Sequence, residues 1–222
     1  MFAKNLLSES IAIVKTSNTG LEALSIMEEC KLEHLPIVNN VDYLGLLSES
    51  DIFAMNQPEE AIGNYSLSKK RPYVYDFEHI YDILRIMEQE KISVVAVLDK
   101  KTEQYIGAIT RNSILEAFSN ITALSQPGGI IVLEMPANSY QLSEIANIVE
   151  NNDASILSCF VNAKEGSNIL EVTIKINKED ISAIAQTFNR YEYTIMASYA
   201  KEDSNWDELK DRWNLLMKYI NM

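Results

Sequence analysis

Ser48 and Asp51 are the residues in this chain whose types and spacing most invite ligand chemistry. A hydroxyl and a carboxylate three positions apart, at the start of a helix, bring together an acceptor for a sugar diol and a donor for phosphate. They lie beside the unpaired N–H groups of a first helical turn. The same Ser-x-x-Asp spacing also opens ordinary helices, where the hydroxyl caps and the carboxylate favours the positive end of the helix dipole. Both readings stand on these four residues. Further along, Thr110-Arg111-Asn112-Ser113 has the same form with serine at the aspartate position, so one neutral oxygen replaces two charged acceptors. Arg111 and the triplet Lys69-Lys70-Arg71 add cations that serve either phosphate or surface solvation.

Bond-breaking chemistry finds little support. The two histidines, His34 and His79, have no ligand at metal spacing. No Gly-x-Ser-x-Gly, Walker or dinucleotide-binding glycine pattern occurs. No catalytic residue, catalytic cofactor or metal ligand is assigned, and the chain is not expected to be an enzyme.

The elements around Ser48 read as strand, turn, strand, helix. His34 to Val38 is an apolar strand containing Pro36, Asn39-Asn40 and Asp42 turn the chain, and Leu44 to Leu47 is a second short strand. Upstream, Ile11 to Lys15 reads as a strand, and Leu21, Ala23, Leu24 and Met27 mark an amphipathic helix. The whole arrangement recurs. Ile26-Met27-Glu28 returns as Ile86-Met87-Glu88, an offset of 60 (86 − 26), and Tyr73-Val74 aligns with Ile13-Val14. Leu44-Gly45-Leu46-Leu47-Ser48 returns as Ile106-Gly107-Ala108-Ile109-Thr110, an offset of 62 (107 − 45), so two residues enter at the second hairpin. A constant offset through a helix and a small insertion at a turn are the marks of a duplicated unit. Residues 1 to 10 are expected to lead into the first unit, and Gln57 to Arg71 to connect the two.

This duplicated set resembles a tandem pair of CBS domains, the adenosine-nucleotide-sensing pair also called a Bateman module. The resemblance covers roughly residues 1 to 121 and rests on Leu35-Pro36-Ile37-Val38, Gly45, the Ser48-x-x-Asp51 end and the weaker second copy. It implies a regulatory ligand, an adenosine nucleotide (AMP, ADP or ATP). Asp51 would hold the ribose diol and Ser48 face the phosphate, with Ile13, His34 and Pro36 near the base. In repeat two the corresponding positions are Thr110, Arg111 and Ser113, with Tyr73 and Val74 on the opening strand.

The remainder follows another pattern. After a Pro-Gly-Gly breaker, strands are expected over 130–135, 156–162, 169–176 and 193–199. Helices are expected from Asn138, with Gln141 completing a capping box, and from Asn177, with Asp180 in its first turn. This β-α-β-β-α-β order is ferredoxin-like. Behind a CBS pair it resembles the ACT domain, as in acetoin-utilisation-type CBS–ACT regulatory proteins. Tyr140 stands where the ACT pattern has glycine, so amino-acid binding at that turn is not expected. Trp206, Leu209, Trp213, Leu216 and Ile220 form a heptad seam on a terminal helix, packed either on its own domain or on a second copy.

The expected fold class is α+β or α/β: a CBS-domain pair of duplicated β-α-β-β-α units, a ferredoxin-like ACT domain and a terminal helix. The expected domains are 1–60, 61–121 and 130–222. With 19 basic against 32 acidic residues the net charge is −13, which argues against nucleic acid and anionic membranes as partners. Cys30 and Cys159 suit reduced, buried thiols, and no apolar run is long enough to span a bilayer. The expectation is a cytoplasmic, homodimeric nucleotide sensor acting on a protein partner. The alternative is a dimerisation or protein-interaction module with vestigial clefts.

Overall fold

The structure is a computed structural model and describes residues 1–8, 11–66, 71–164 and 166–200. Lys69, Lys70, Glu165 and the helix expected over Ser204 to Met222 lie outside the described residues. The fold is mixed α and β, and the chain divides into two compact units between Phe118 and Ser119. Among the described residues no helix is long and apolar enough to cross a membrane.

The first unit contains the duplication. Repeat one has α1 (Gly20–Cys30), β1 (His34–Asn39), β2 (Asp42–Ser48) and the five-residue α2 (Glu49–Phe53). Repeat two has β3 (Tyr73–Tyr75), α3 (Ile80–Glu90), β4 (Val94–Leu98), β5 (Tyr105–Thr110) and α4 (Arg111–Ile121). Each helix–strand turn ends with a lysine in the left-handed conformation, Lys31 at φ 54° and Lys91 at φ 52°, so the duplication extends to the backbone. The β1–β2 and β4–β5 hairpins are antiparallel, and each carries one irregularity, after Ile37 and after Val97. In repeat two β3 pairs in parallel with β4. Its counterpart expected over Ile11 to Lys15 shrinks to a single bridge, Val14 to Ile37. Val14 still donates to the Pro36 carbonyl (3.0 Å) and accepts from the Val38 N–H (2.8 Å).

Residues 1–8 do not serve repeat one. Ala3 and Leu6 are buried in the core of repeat two with Val74, Ile83 and Ile109. The matching segment at Ile62 is buried in the core of repeat one with Val14, Met27 and Leu47. The hydrogen bonds match as well. Ala3 N–H donates to Glu78 O (2.9 Å) and Lys4 N–H to Asp76 O (3.0 Å), while Ile62 N–H donates to Asn18 O (2.8 Å) and Gly63 N–H to Thr16 O (2.9 Å). Each repeat is therefore completed by a short segment that precedes the other repeat in sequence. A third cluster, Val38, Tyr43, Ala96 and Leu98, joins the repeats through β1 and β4.

The second unit is one antiparallel sheet of β6 (Gly129–Pro136), β7 (Ile156–Ala163), β8 (Ile169–Ile176) and β9 (Thr194–Tyr199) in the order β7-β8-β6-β9. With α5 (Leu142–Glu150) and α6 (Ser182–Arg190) this gives the ferredoxin-like order. Alternate residues of β6 (Ile131, Leu133, Met135) and β8 (Val172, Ile174, Ile176) pack on Ile145, Val149, Ile184 and Phe188 of the helices. Gly128 enters the sheet at φ 156°, where an added Cβ would lie 2.0 Å from the Ile176 carbonyl oxygen. Both helices begin later than their sequence patterns suggest. A 3-10 turn takes up Ala137–Ser139, so α5 starts after Gln141 with no side-chain cap. Asn177 spends its Oδ1 on the Ser155 N–H (2.7 Å), and α6 starts after Ile181, with Asp180 accepting from Ser182 N–H (3.0 Å). Cys30 is exposed rather than buried, and Cys159 is partly buried.

Truncating the exchanged segments has a specific expected outcome. Leu6→Ala and Ile62→Ala each remove a buried side chain and should each cost about 2–5 kcal/mol. Amide hydrogen exchange should show Leu6→Ala loosening α3 and β4 more than α1 and β1, and Ile62→Ala the reverse.

Candidate functional site

Ser48 ends β2 and caps α2. Its N–H donates to Asp51 Oδ2 (2.8 Å), its hydroxyl donates to the same oxygen (2.6 Å), and the Asp51 N–H donates to Ser48 Oγ (3.1 Å). Ser50 Oγ is a further 2.8 Å neighbour of Ser48 Oγ. This reciprocal capping box forms because the strand delivers Ser48 in extended backbone directly to the first helical turn. Two other boxes occur among the described residues, Thr19 with Glu22 and His79 with Asp82. Their hydrogen bonds are exposed, whereas Ser48 and Asp51 are 4% and 8% exposed. The carboxylate of Asp51 is thus buried where capping alone does not require it.

His34 stands opposite Ser48 in the β1–β2 register. Its Nδ1 accepts the Ser93 N–H (3.3 Å) and lies 2.9 Å from Ser93 Oγ. A backbone N–H pointed at Nδ1 matches the tautomer that carries its proton on Nε2. Ser93 belongs to repeat two, and this contact ties the two β-strand starts together. Beside it, Arg111 Nη1 donates to Glu33 Oε2 (3.2 Å), a second link between the repeats with both side chains more than half exposed. Within each repeat an equivalent backbone bond holds the start of the last helix to the residue ahead of the first hairpin strand: Glu49 N–H donates to Glu33 O and Arg111 N–H to Ser93 O, each at 3.1 Å. Ser93 and Glu33 were not singled out in the sequence; their signal is that they are the same position, 60 residues apart (93 − 33), just ahead of β4 and β1.

In repeat two, Thr110 is buried and accepts the Ser113 N–H (3.1 Å), with the two hydroxyls 3.1 Å apart. The carboxylate arm of the box is missing. Pro36 is buried opposite Leu46, and Ile13 is 39% exposed one residue before the Val14 bridge. Val74 is fully buried in the repeat-two core. Tyr73, on the strand beside Ala96, turns to a tyrosine cluster, edge-on to Tyr75 at 5.3 Å. Arg71, the described member of the basic triplet, stacks 5.8 Å from the rings of both Tyr43 and Tyr73. Burial pushes the Tyr43 and Tyr105 hydroxyls above the ordinary tyrosine range, and Tyr105 Oη makes no hydrogen bond among the described residues. The structure therefore gathers Ser48, Asp51 and His34 at one strand end and Thr110, Arg111 and Ser113 at its counterpart. Tyr73 and Val74 are spent on packing.

The model of the CBS domain matches this chain twice, over residues 3–55 and 62–120. The chain belongs to the CBS-domain family. Among solved structures it is similar to a CBS domain pair/ACT domain protein from Thermotoga maritima, with 18% identity, a TM-score of 0.48, and 54% of this chain and 98% of the other covered. It is also similar to a protein assigned to acetoin utilization (AcuB) from Vibrio cholerae, at 20% identity, a TM-score of 0.49, and 56% and 95% coverage. A third is CBSX2 in complex with AMP, at 20% identity, a TM-score of 0.47, and 54% and 97% coverage.

The comparison of the two CBS repeats gives a prediction. Ser113→Asp should complete the capping box at Thr110 and place a carboxylate at the positive end of α4. Urea denaturation should show a gain of about 0.5–1 kcal/mol. A loss of stability would show that the carboxylate cannot reach the Thr110 N–H.

Proposed function

We propose that this CBS pair is a regulatory sensor of an adenosine nucleotide and that occupancy is passed to the second unit or to a protein partner. The observation that carries this reading is the burial of the Asp51 carboxylate, held by Ser48 beside a histidine that bridges the repeats. Asp51 takes the ribose hydroxyls, with His34, Pro36 and Ile13 toward the base. Ser48 and Arg111 serve phosphate; α2 is only five residues long, so little anion attraction comes from its dipole. The repeat-two cleft at Thr110 and Ser113 is the weaker of the two for ribose. A nucleotide that prefers one packing of the repeats over another shifts that packing, and this differential affinity is what sensing requires. The functional division we propose is 1–60 and 61–121 for the CBS repeats and 130–222 for an ACT-like domain. In that domain Tyr140 packs against the core where an ACT ligand would approach. The protein acts in the cytoplasm and catalyses no reaction.

Titration calorimetry with AMP, ADP and ATP tests the reading. Asp51→Ala should weaken the preferred nucleotide about tenfold or more, the value of a hydrogen bond to a charged group. Asp51→Asn should cost less. A 2′-deoxy ligand should lose affinity on the wild type and lose much less on Asp51→Ala; additive losses would show that Asp51 does not touch the ribose.

The alternative, a dimerisation module with vestigial clefts, is favoured by one observation: Phe53 and Tyr81 present 71% and 74% of their surface to solvent on helices of the CBS pair. Light scattering at micromolar concentration should give twice the chain mass. Phe53→Glu with Tyr81→Glu should return the protein to one chain mass if those helices form the contact. A dimer without nucleotide binding would favour the alternative.

A further inference from the structure

The second unit carries a hollow that nothing in the CBS reading uses. It lies between α5 and α6, encloses about 500 Å³, and is lined by Glu144, Asn147, Asn151, Asn152, Thr187 and Arg190, with Ile148 and Tyr191. A neighbouring hollow of about 460 Å³ shares Asn152, Thr187 and Arg190 and adds Gln186 and Asn189. Its polar lining is mainly carboxamides, with one guanidinium and one carboxylate, beside the apolar Ile148 and the Tyr191 ring.

Its two charges do not neutralise each other. Glu144 Oε2 accepts from the Tyr193 hydroxyl (2.9 Å), and Arg190 Nη2 donates to Thr187 Oγ1 (3.1 Å). No ion pair joins the two, although they face the same space from different helices. Each is held on its own wall by a neutral hydroxyl. Thr187 is 7% exposed and is itself fixed, donating to Ala183 O (2.9 Å) and accepting from Asn152 Nδ2 (3.3 Å). Of the five guanidinium N–H groups of Arg190, one is so engaged. The side-chain amides of Asn147, Asn151, Gln186 and Asn189 make no hydrogen bond among the described residues, so both their donors and acceptors remain for a ligand.

We propose that this hollow binds a phosphorylated sugar, with phosphate on Arg190 and hydroxyls on Glu144 and the carboxamides. Three features select that class. A guanidinium with open N–H groups takes phosphate in bidentate fashion. A carboxylate accepts from neighbouring hydroxyls, and carboxamides, which donate and accept, match hydroxyls that do the same. The two charges stand on different helices, Glu144 on α5 and Arg190 on α6. That separation suits a ligand with its anion at one end and its hydroxyls at the other. It suits an α-amino acid less, because its ammonium and carboxylate are adjacent. The half-exposed Tyr191 ring at the rim offers a face for the apolar side of a sugar ring.

The test uses the full chain and calorimetry with glucose 6-phosphate and mannose 6-phosphate, with glucose, inorganic phosphate and glutamate as separate arms. At least one sugar phosphate should bind ten or more times tighter than glucose or phosphate alone. Arg190→Gln should abolish the advantage over glucose, and Glu144→Gln, which keeps an acceptor for Tyr193, should reduce affinity several-fold. Should Arg190→Gln fail to fold, Arg190→Lys keeps the charge but loses the bidentate fork and should still weaken binding several-fold. Asp51→Ala should leave this binding unchanged, which separates the hollow from the nucleotide cleft whether or not that cleft is occupied. Absence of saturation by either sugar phosphate up to about 10 mM, a weak-binding limit of roughly 3 kcal/mol, would overturn the proposal. So would binding indifferent to both Arg190 variants, or glutamate binding more tightly than the sugar phosphates.

Discussion

Neither repeat of the first unit closes its own core, and most of that unit's architecture depends on this constraint. Ala3 and Leu6 finish repeat two, and Ile62 finishes repeat one. Each fully buried aliphatic side chain contributes about 1.5–3 kcal/mol, so removing either segment leaves a repeat short of at least one such contribution, from Leu6 or from Ile62. The small β1–β2 and β3–β4–β5 sheets, of two and three strands, would be marginal alone. Crossing the segments makes the repeats fold as one body and holds β1 against β4. That contact brings His34 within reach of Ser93 and Glu33 within reach of Arg111.

The strand ends are joined across both repeats by two unlike contacts. Moving β1 relative to β4 stretches the His34–Ser93 hydrogen bond, which is buried, and the Glu33–Arg111 pair, which is exposed. Water replaces an exposed pair at little cost, whereas a buried donor left without a partner costs about 1–3 kcal/mol. The histidine contact is thus the stiffer of the two and sets the register of the strand ends; the ion pair tolerates adjustment. Ser48, opposite His34 in the strand pairing, is positioned through the same element.

Much of this was legible in the sequence, and the limits have physical causes. The duplication, the strand ends and the Ser48 cap follow from side-chain pattern and spacing, which are local. The crossing of residues 1–8 was not legible, because it is made by backbone hydrogen bonds and a few small apolar residues without periodicity. The strand expected at Ile11 to Lys15 was over-read: its apolar residues pack, but a single ladder bridge forms. The helix starts at Asn138 and Asn177 failed for a shared reason. A capping pattern names a residue able to cap, but Asn177 instead satisfies the Ser155 N–H, and the chain leaving β6 needs a 3-10 turn before α5 can begin. The alignment that pairs Tyr73-Val74 with Ile13-Val14 does not show that Val74 is fully buried or that Tyr73 joins a tyrosine cluster. Alignment transfers position in the chain, not the direction in which a side chain points.

The two CBS repeats differ in charge at the residues that open their last helices. Repeat one begins its helix Glu49-Ser50-Asp51, with two carboxylates; repeat two begins Arg111-Asn112-Ser113, with one cation. In a chain with a net charge of −13, this leaves one strand end rich in acceptors and the other with the positive charge. A polyanion alone is repelled by the first, and a neutral diol gains little at the second. On the proposed reading, a ligand that carries both a diol and phosphate satisfies each end with a different group. Such a ligand also competes with Glu33 for Arg111. Its arrival exchanges an ion pair between the repeats for one between repeat and ligand. The exposed pair is worth at most about 1 kcal/mol, so giving it up costs little. On the same reading, the pair gives Arg111 a partner at the strand end that a ligand phosphate can replace. The difference in charge between the repeats then suits a ligand with two unlike ends better than two identical strand ends would.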